Sequence, residues 1–186
     1  MRTMRHSVPV CSNQQGVALV LALVFLLLLT ILGITALNTT SLEEKMAGNV
    51  KDRNLAFQAA ESALTLAENW IYTQIGKPVF PNNSSGLYLP ATTATYNWDS
   101  VNWSGSSVVT YPNTPTASGS GTLGKINTQP KYIIEDMGET QESSGSLTME
   151  TRYRSKGTTI MRITARGSGG TDAAVVMLQS TYARDF

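Results

Sequence analysis

Cysteine and histidine are nearly absent from this chain of 186 residues, with one of each, Cys11 and His6. Both stand in the first sixteen positions, so removal of that short leader would leave no thiol and no imidazole. A disulfide, a zinc site of the usual Cys/His type and a Ser–His or Cys–His nucleophile pair are then excluded together. A dominant charge is also missing: 14 Lys and Arg stand against 13 Asp and Glu, a formal net charge of +1. Such a balance creates no field that would draw in nucleic acid. Loss of Arg2 and Arg5 with the leader shifts the balance to about −1. No catalytic residue, cofactor or metal site is expected, nor any nucleic acid bound directly. Glu135, Asp136, Glu139 and Glu142 do crowd around a glycine, but they miss the calcium-loop spacing and nothing else converges on them. A solvated hairpin is expected there.

What is abundant is apolar sequence near the amino terminus. Residues 17–37, VALVLALVFLLLLTILGITAL, follow directly after Gln15-Gly16. As a helix rising about 1.5 Å per residue, the run crosses a hydrocarbon core of about 30 Å. Three readings fit it. A secretory signal would have a shorter run and an A-x-A-like cleavage site, whereas Ile34-Thr35-Ala36 puts a bulky residue first. A plain signal anchor is the second. The third is cleavage on the cytoplasmic side, after Gly16. Under either anchor reading Arg2 and Arg5 hold the amino terminus inside and send the rest outward. Thr30, Gly33 and Thr35 are small or hydroxylic positions that allow close approach of other helices.

The chain continues through residues 38–75 without proline. Leu42, Met46, Val50, Phe57, Ala60, Leu64, Ala67, Ile71 and Ile75 recur in steps of three, four and seven and predict one amphipathic helical face, with Arg53 as its polar interruption. Ser41 with Glu44 matches a capping box, a sign of a helix start or joint, and Gly48 is a second soft point. Gly76-Lys77-Pro78 ends the helix. Residues 76–129 hold five of the seven prolines, together with several Tyr and Trp residues, and read as an irregular but packed loop region with Val108–Tyr111 as a strand candidate. Lys131–Asp136, Leu147–Ser155, Thr158–Arg166 and Ala173–Ala183 are β-prone and separated by glycine-containing breaks, which favours an antiparallel meander. The expected organisation is a leader (1–16), a membrane helix segment (17–37), an amphipathic helix (38–75), a loop region (76–129) and a sheet (130–186). The fold class is α+β, a long amino-terminal helix packed on an antiparallel sheet of about four strands.

Gln15-Gly16 with its apolar run, then Glu44-Lys45-Met46-Ala47-Gly48-Asn49, then Asp52-Arg53-Asn54-Leu55-Ala56-Phe57-Gln58-Ala59-Ala60-Glu61, resemble a type IV pilin-like protein. The nearest group is the PilX-type minor pilins. Arg162–Gly167, Ala174–Val176 and Gln179-Ser180 also resemble that group. The resemblance implies that a prepilin peptidase cuts after Gly16 and that the new amine of Val17 is methylated. It implies residence in the inner membrane with the carboxyl-terminal domain periplasmic, then transfer into a surface pilus. The implied partners are other minor pilins, the major pilin, a PilY-type tip adhesin, the prepilin peptidase and the inner-membrane assembly platform. Arg53 and Glu61 are inter-subunit candidates, eight residues apart on the helix.

The chain departs from the family pattern at Val17, where phenylalanine is commoner, and at Leu21, where pilins usually carry glutamate. In the family picture that glutamate pairs with the amino terminus of a neighbouring subunit, and a buried carboxylate without a partner is costly. Leu21 therefore suggests a place at or near the fibre tip. A pseudopilin of a type II secretion system is an alternative, although its tip subunit usually has a larger globular part. A signal-anchored periplasmic carbohydrate-binding module using Tyr96, Trp98 and Trp103 is another. Gly119-Ser120-Gly121-Thr122-Leu123-Gly124 matches a dinucleotide fingerprint letter for letter, but prolines flank it and it is expected to be a loop. The Asn-x-Ser/Thr triplets, such as Asn102-Trp103-Ser104, are chance products of composition.

Overall fold

The computed structural model of the chain describes residues 15–81, 84–92, 95–140 and 157–186. Arg2, Arg5, His6, Cys11, Glu142 and the expected strand Leu147–Ser155 lie outside the described residues. Seven elements follow in order: α1 (Gln15–Thr73), β1 (Leu87–Tyr88), α2 (Asn97–Ser100), β2 (Val109–Thr110), β3 (Lys131–Thr140), β4 (Thr158–Ser168) and β5 (Val175–Arg184). The chain divides into two compact units, one ending at Ala47 and one beginning at Gly48.

In the first unit α1 is apolar and exposed on every side: Val17, Leu21, Phe25, Leu29, Ile34 and Leu37 all face outward. Among the described residues it is the one helix long and apolar enough to cross a membrane. Its hydroxyls do not need water. Thr30 donates to the Leu27 carbonyl, Thr35 to those of Ile31 and Leu32, and Thr39 to that of Thr35. The joint expected at Ser41–Glu44 does not form, because the residues before Ser41 are already helical and no new helix start needs capping. Gly48 also lies within the unbroken helix, which ends at Thr73, slightly before the expected Ile75.

The second unit contains the distal part of α1 and, among the described residues, a five-stranded mixed sheet. Strand order is β1-β3-β4-β5, with β2 also paired to β3. The expected antiparallel meander is present as β3-β4-β5, in which Ile134 pairs with Ile163 and Ile163 with Ser180. The sheet is mixed because β1 runs parallel to β3, with Leu87 opposite Ile134. Two-residue strands carry no hydrophobic alternation, so β1 leaves no mark in the sequence.

The core lies between α1 and one face of the sheet. Tyr132 and Ile134 of β3 and Met161, Ile163 and Ala165 of β4 pack with Ala63, Ala67, Trp70 and Ile71. The predicted helical stripe is only partly the buried one. Ala60, Ala67 and Ile71 are buried and Leu64 half-buried, whereas Leu42, Met46, Val50, Phe57 and Ile75 are exposed. The buried row is instead Ala56, Ala59, Ala60, Ala63 and Ala67. The reason is close approach: a Cβ on Gly167 would lie 2.3 Å from the Ala56 carbonyl oxygen and 2.5 Å from the Ala60 nitrogen. Large side chains on that row would hold the sheet away.

Candidate functional site

In the first unit, Gly16 and Val17 lie in the opening turn of α1, and the space beside the Gly16 Cα is open. Leu21 is helical and 51% exposed.

In the second unit, Arg53 and Glu61 are both exposed, and Phe57, 46% exposed, stands between them at four-residue spacing. The three form a cation–aromatic–anion row beside the buried alanines. Among the described residues neither Arg53 nor Glu61 has an ion-pair partner.

The helix is tied to the sheet at points the sequence did not single out. The Asp52 carboxylate accepts hydrogen bonds from the Gly170 and Thr171 backbone N–H groups and from the Thr171 hydroxyl. The Thr171 hydroxyl is the main cause holding the Asp52 carboxyl below its ordinary pKa, with the two backbone donors adding to it against desolvation. Gly169 packs so closely that a Cβ there would meet the Asp52 backbone oxygen at 2.4 Å. Farther along, the Ser180 hydroxyl donates to Glu68 at 2.8 Å, and Arg184 donates to the Ile71 carbonyl.

The acidic stretch is not the solvated hairpin expected. Glu135 is 0% exposed and takes a bidentate bond from Arg162, with Nε at 2.8 Å and Nη2 at 2.9 Å, plus one from Asn97 at 2.8 Å. The bond to Glu135 raises the Arg162 pKa, outweighing partial burial. Asp136 and Glu139 share Lys77, at 3.1 and 3.3 Å. Burial pulls the Lys77 ammonium down, but its bonds to Asp136 and Glu139 leave it above its ordinary value. Strand alternation alone explains the split, since β3 sends Glu135 to one face and Asp136 to the other. Among the described residues no group of three or more His, Cys, Asp or Glu side chains is placed to hold a metal ion.

Aromatics cover the sheet face opposite α1. Tyr96 stacks on Trp98 at 5.9 Å, while Trp98, Val101 and Trp103 pack against Tyr88, Val108 and Ile133. Trp98 and Trp103 thus serve mainly as filling for a second small core, and Tyr96 is the exposed member. Residues 119–124 lie in neither strand nor helix, and a dinucleotide fingerprint needs both around it.

Two families match the chain: PilX N-terminal over residues 15–65, and Type IV pilus assembly protein PilX C-term over residues 84–184. No curated protein and no solved structure matches it.

Proposed function

The chain belongs to the PilX family of type IV pilus assembly proteins, whose members are structural pilus components, and on that basis we propose that it is a minor pilin that helps to initiate pili and enters them at or near the tip. It supports pilus biogenesis and, through it, adhesion or motility. The observation that carries the reading is the apolar helix, exposed on all sides from Val17 to Leu37, with Leu21 where a pilin glutamate would stand. A helix of this kind has two favourable environments, a bilayer and a bundle of like helices. Passage from one to the other exchanges apolar contacts without exposing the segment to water.

In this reading the prepilin peptidase cuts after Gly16, Val17 is methylated, and the unit after the membrane segment faces the periplasm until assembly carries it to the cell surface. Leu21 needs no partner amine from a preceding subunit, which suits a subunit with none before it. Arg53, Phe57 and Glu61 face neighbouring subunits: other minor pilins, the major pilin or a PilY-type adhesin. The mass of the mature protein tests the first step, since an intact Met1 or an amino terminus beyond residue 36 sinks it. Position is tested by labelling the protein in sheared pili. Label confined to fibre ends supports the tip, and label along the shaft with Leu21→Glu behaving as wild type refutes it.

A further inference from the structure

Two register positions on the outer face of the β3–β4 pair carry opposite solutions to the same problem. At one, Glu135 stands across from Arg162 and neutralises it. Four residues along each strand, on the same face, Lys131 stands across from Arg166. Like charges directly opposite each other on a sheet are destabilising. Among the described residues no carboxylate lies within ion-pair distance of either. The Lys131 ammonium spends one bond on the Trp103 carbonyl, at 2.6 Å, and the Arg166 guanidinium lies 5.9 Å from the centre of the Trp103 ring.

The two cations are partly exposed at the mouth of a concave site. With Trp103, Thr128, Ser168 and Asp172 they line a cavity of about 200 Å³. Asp172 is fixed there by Asn127 at 2.6 Å and Thr128 at 2.8 Å, and the Ser168 hydroxyl is held on the Thr128 carbonyl at 2.8 Å. The wall is therefore set in place by its own hydrogen bonds. It presents a fork of cationic donors, one carboxylate acceptor and an indole.

We propose that this cavity binds a single sugar residue bearing a carboxylate, a hexuronate of an acidic polysaccharide. The sugar carboxylate lies between Lys131 and Arg166 and relieves their repulsion, with the guanidinium fork supplying paired donors. Ring hydroxyls donate to the remaining lone pairs of Asp172, and the Trp103–Arg166 stack forms the wall beside the ring. Asp172 decides between occupants. An acidic peptide side chain offers it no donor to offset the repulsion between two carboxylates, whereas the ring hydroxyls of a sugar acid supply such donors. The volume holds one such ring and is smaller than a drug-sized pocket.

The full-length ¹⁵N-labelled chain in detergent micelles is titrated with glucuronate, glucose, acetate and a glutamate-rich peptide, following the Trp103 indole N–H. Glucuronate is expected to shift that resonance saturably, with glucose and acetate each about tenfold weaker or more. Arg166→Gln removes the response, while an unmoved Trp70 indole resonance shows that the fold persists. Asp172→Asn weakens glucuronate and strengthens acetate, an opposite pair of changes that unfolding does not produce. Acetate binding as well as glucuronate, tighter binding of the peptide, or no saturable shift with any ligand overturns the proposal.

Discussion

Asp52 on α1 and Thr171 in the turn between β4 and β5 are joined twice, through the Thr171 N–H at 3.2 Å and through its hydroxyl. The carboxylate is surrounded by donors, so replacement by asparagine removes charge and one acceptor together.

Asp52→Asn is expected to lower the thermal midpoint at neutral pH. The sign with pH follows from the depressed folded-state pKa. Stability from such a carboxyl is fully present above its unfolded pKa of about 3.9 and is lost as pH falls through the lower folded value. The gap between wild type and variant should be flat above about pH 5 and close below about pH 4. Equal gaps at both extremes would show that the charge contributes nothing.

Gly167→Ala places a methyl against two backbone atoms of α1, at Ala56 and Ala60. Neither can swing aside, so the helix and β4 must separate, at a cost of about 1–3 kcal/mol. Gly124→Ala enters open space and should stay within about 0.5 kcal/mol of wild type. Denaturant midpoints of the two variants decide the matter.

Removal of Glu135 strands the Arg162 guanidinium, 6.0 Å from the centre of the Tyr96 ring, without its carboxylate. Glu135→Ala should destabilise by about 3–5 kcal/mol. The double variant Glu135→Met, Arg162→Leu should recover most of that loss, since it leaves neither charge uncompensated. A double variant as unstable as the single one would mean that the pair contributes geometry rather than charge compensation.

Phe57→Ala tests the exposed row directly. Its side chain is 46% exposed, so folding stability should change by less than about 1 kcal/mol. Recovery of the protein in the sheared pilus fraction should fall several-fold, and Arg53→Glu should have the same effect. Unchanged recovery with both variants would remove the row from the list of subunit contacts.

The long helix and the β3-β4-β5 meander are legible because each repeats a periodic pattern over many residues. The buried helical face was misjudged in part for a physical reason: large apolar residues mark burial only where space is ample, and here the backbone at Gly167 leaves room for alanine alone. Leu42, Met46, Val50 and Phe57 belong to the same pattern and remain outside the fold of the chain itself. Glu135 read as solvated because its partner Arg162 is 27 residues away and the intervening sequence does not reveal the register. Asp52 was visible only as part of a resemblance, since its donors lie 118 and 119 positions downstream. Gly16, Val17 and Leu21 are exposed positions of the helix, and their reading comes from the sequence.

Among the described residues, the three ties that join α1 to β5 and to the turn before it occur in one order. Asp52 meets Thr171, Glu68 meets Ser180 and the Ile71 carbonyl meets Arg184, so numbers rise together along both partners. Helix and β5 therefore run side by side in the same direction. A tensile force applied along the helix axis loads all three ties in shear, and they must yield together. The same bonds pulled from one end would open one after another. A subunit drawn by its helix is thus built to transmit force without being peeled apart.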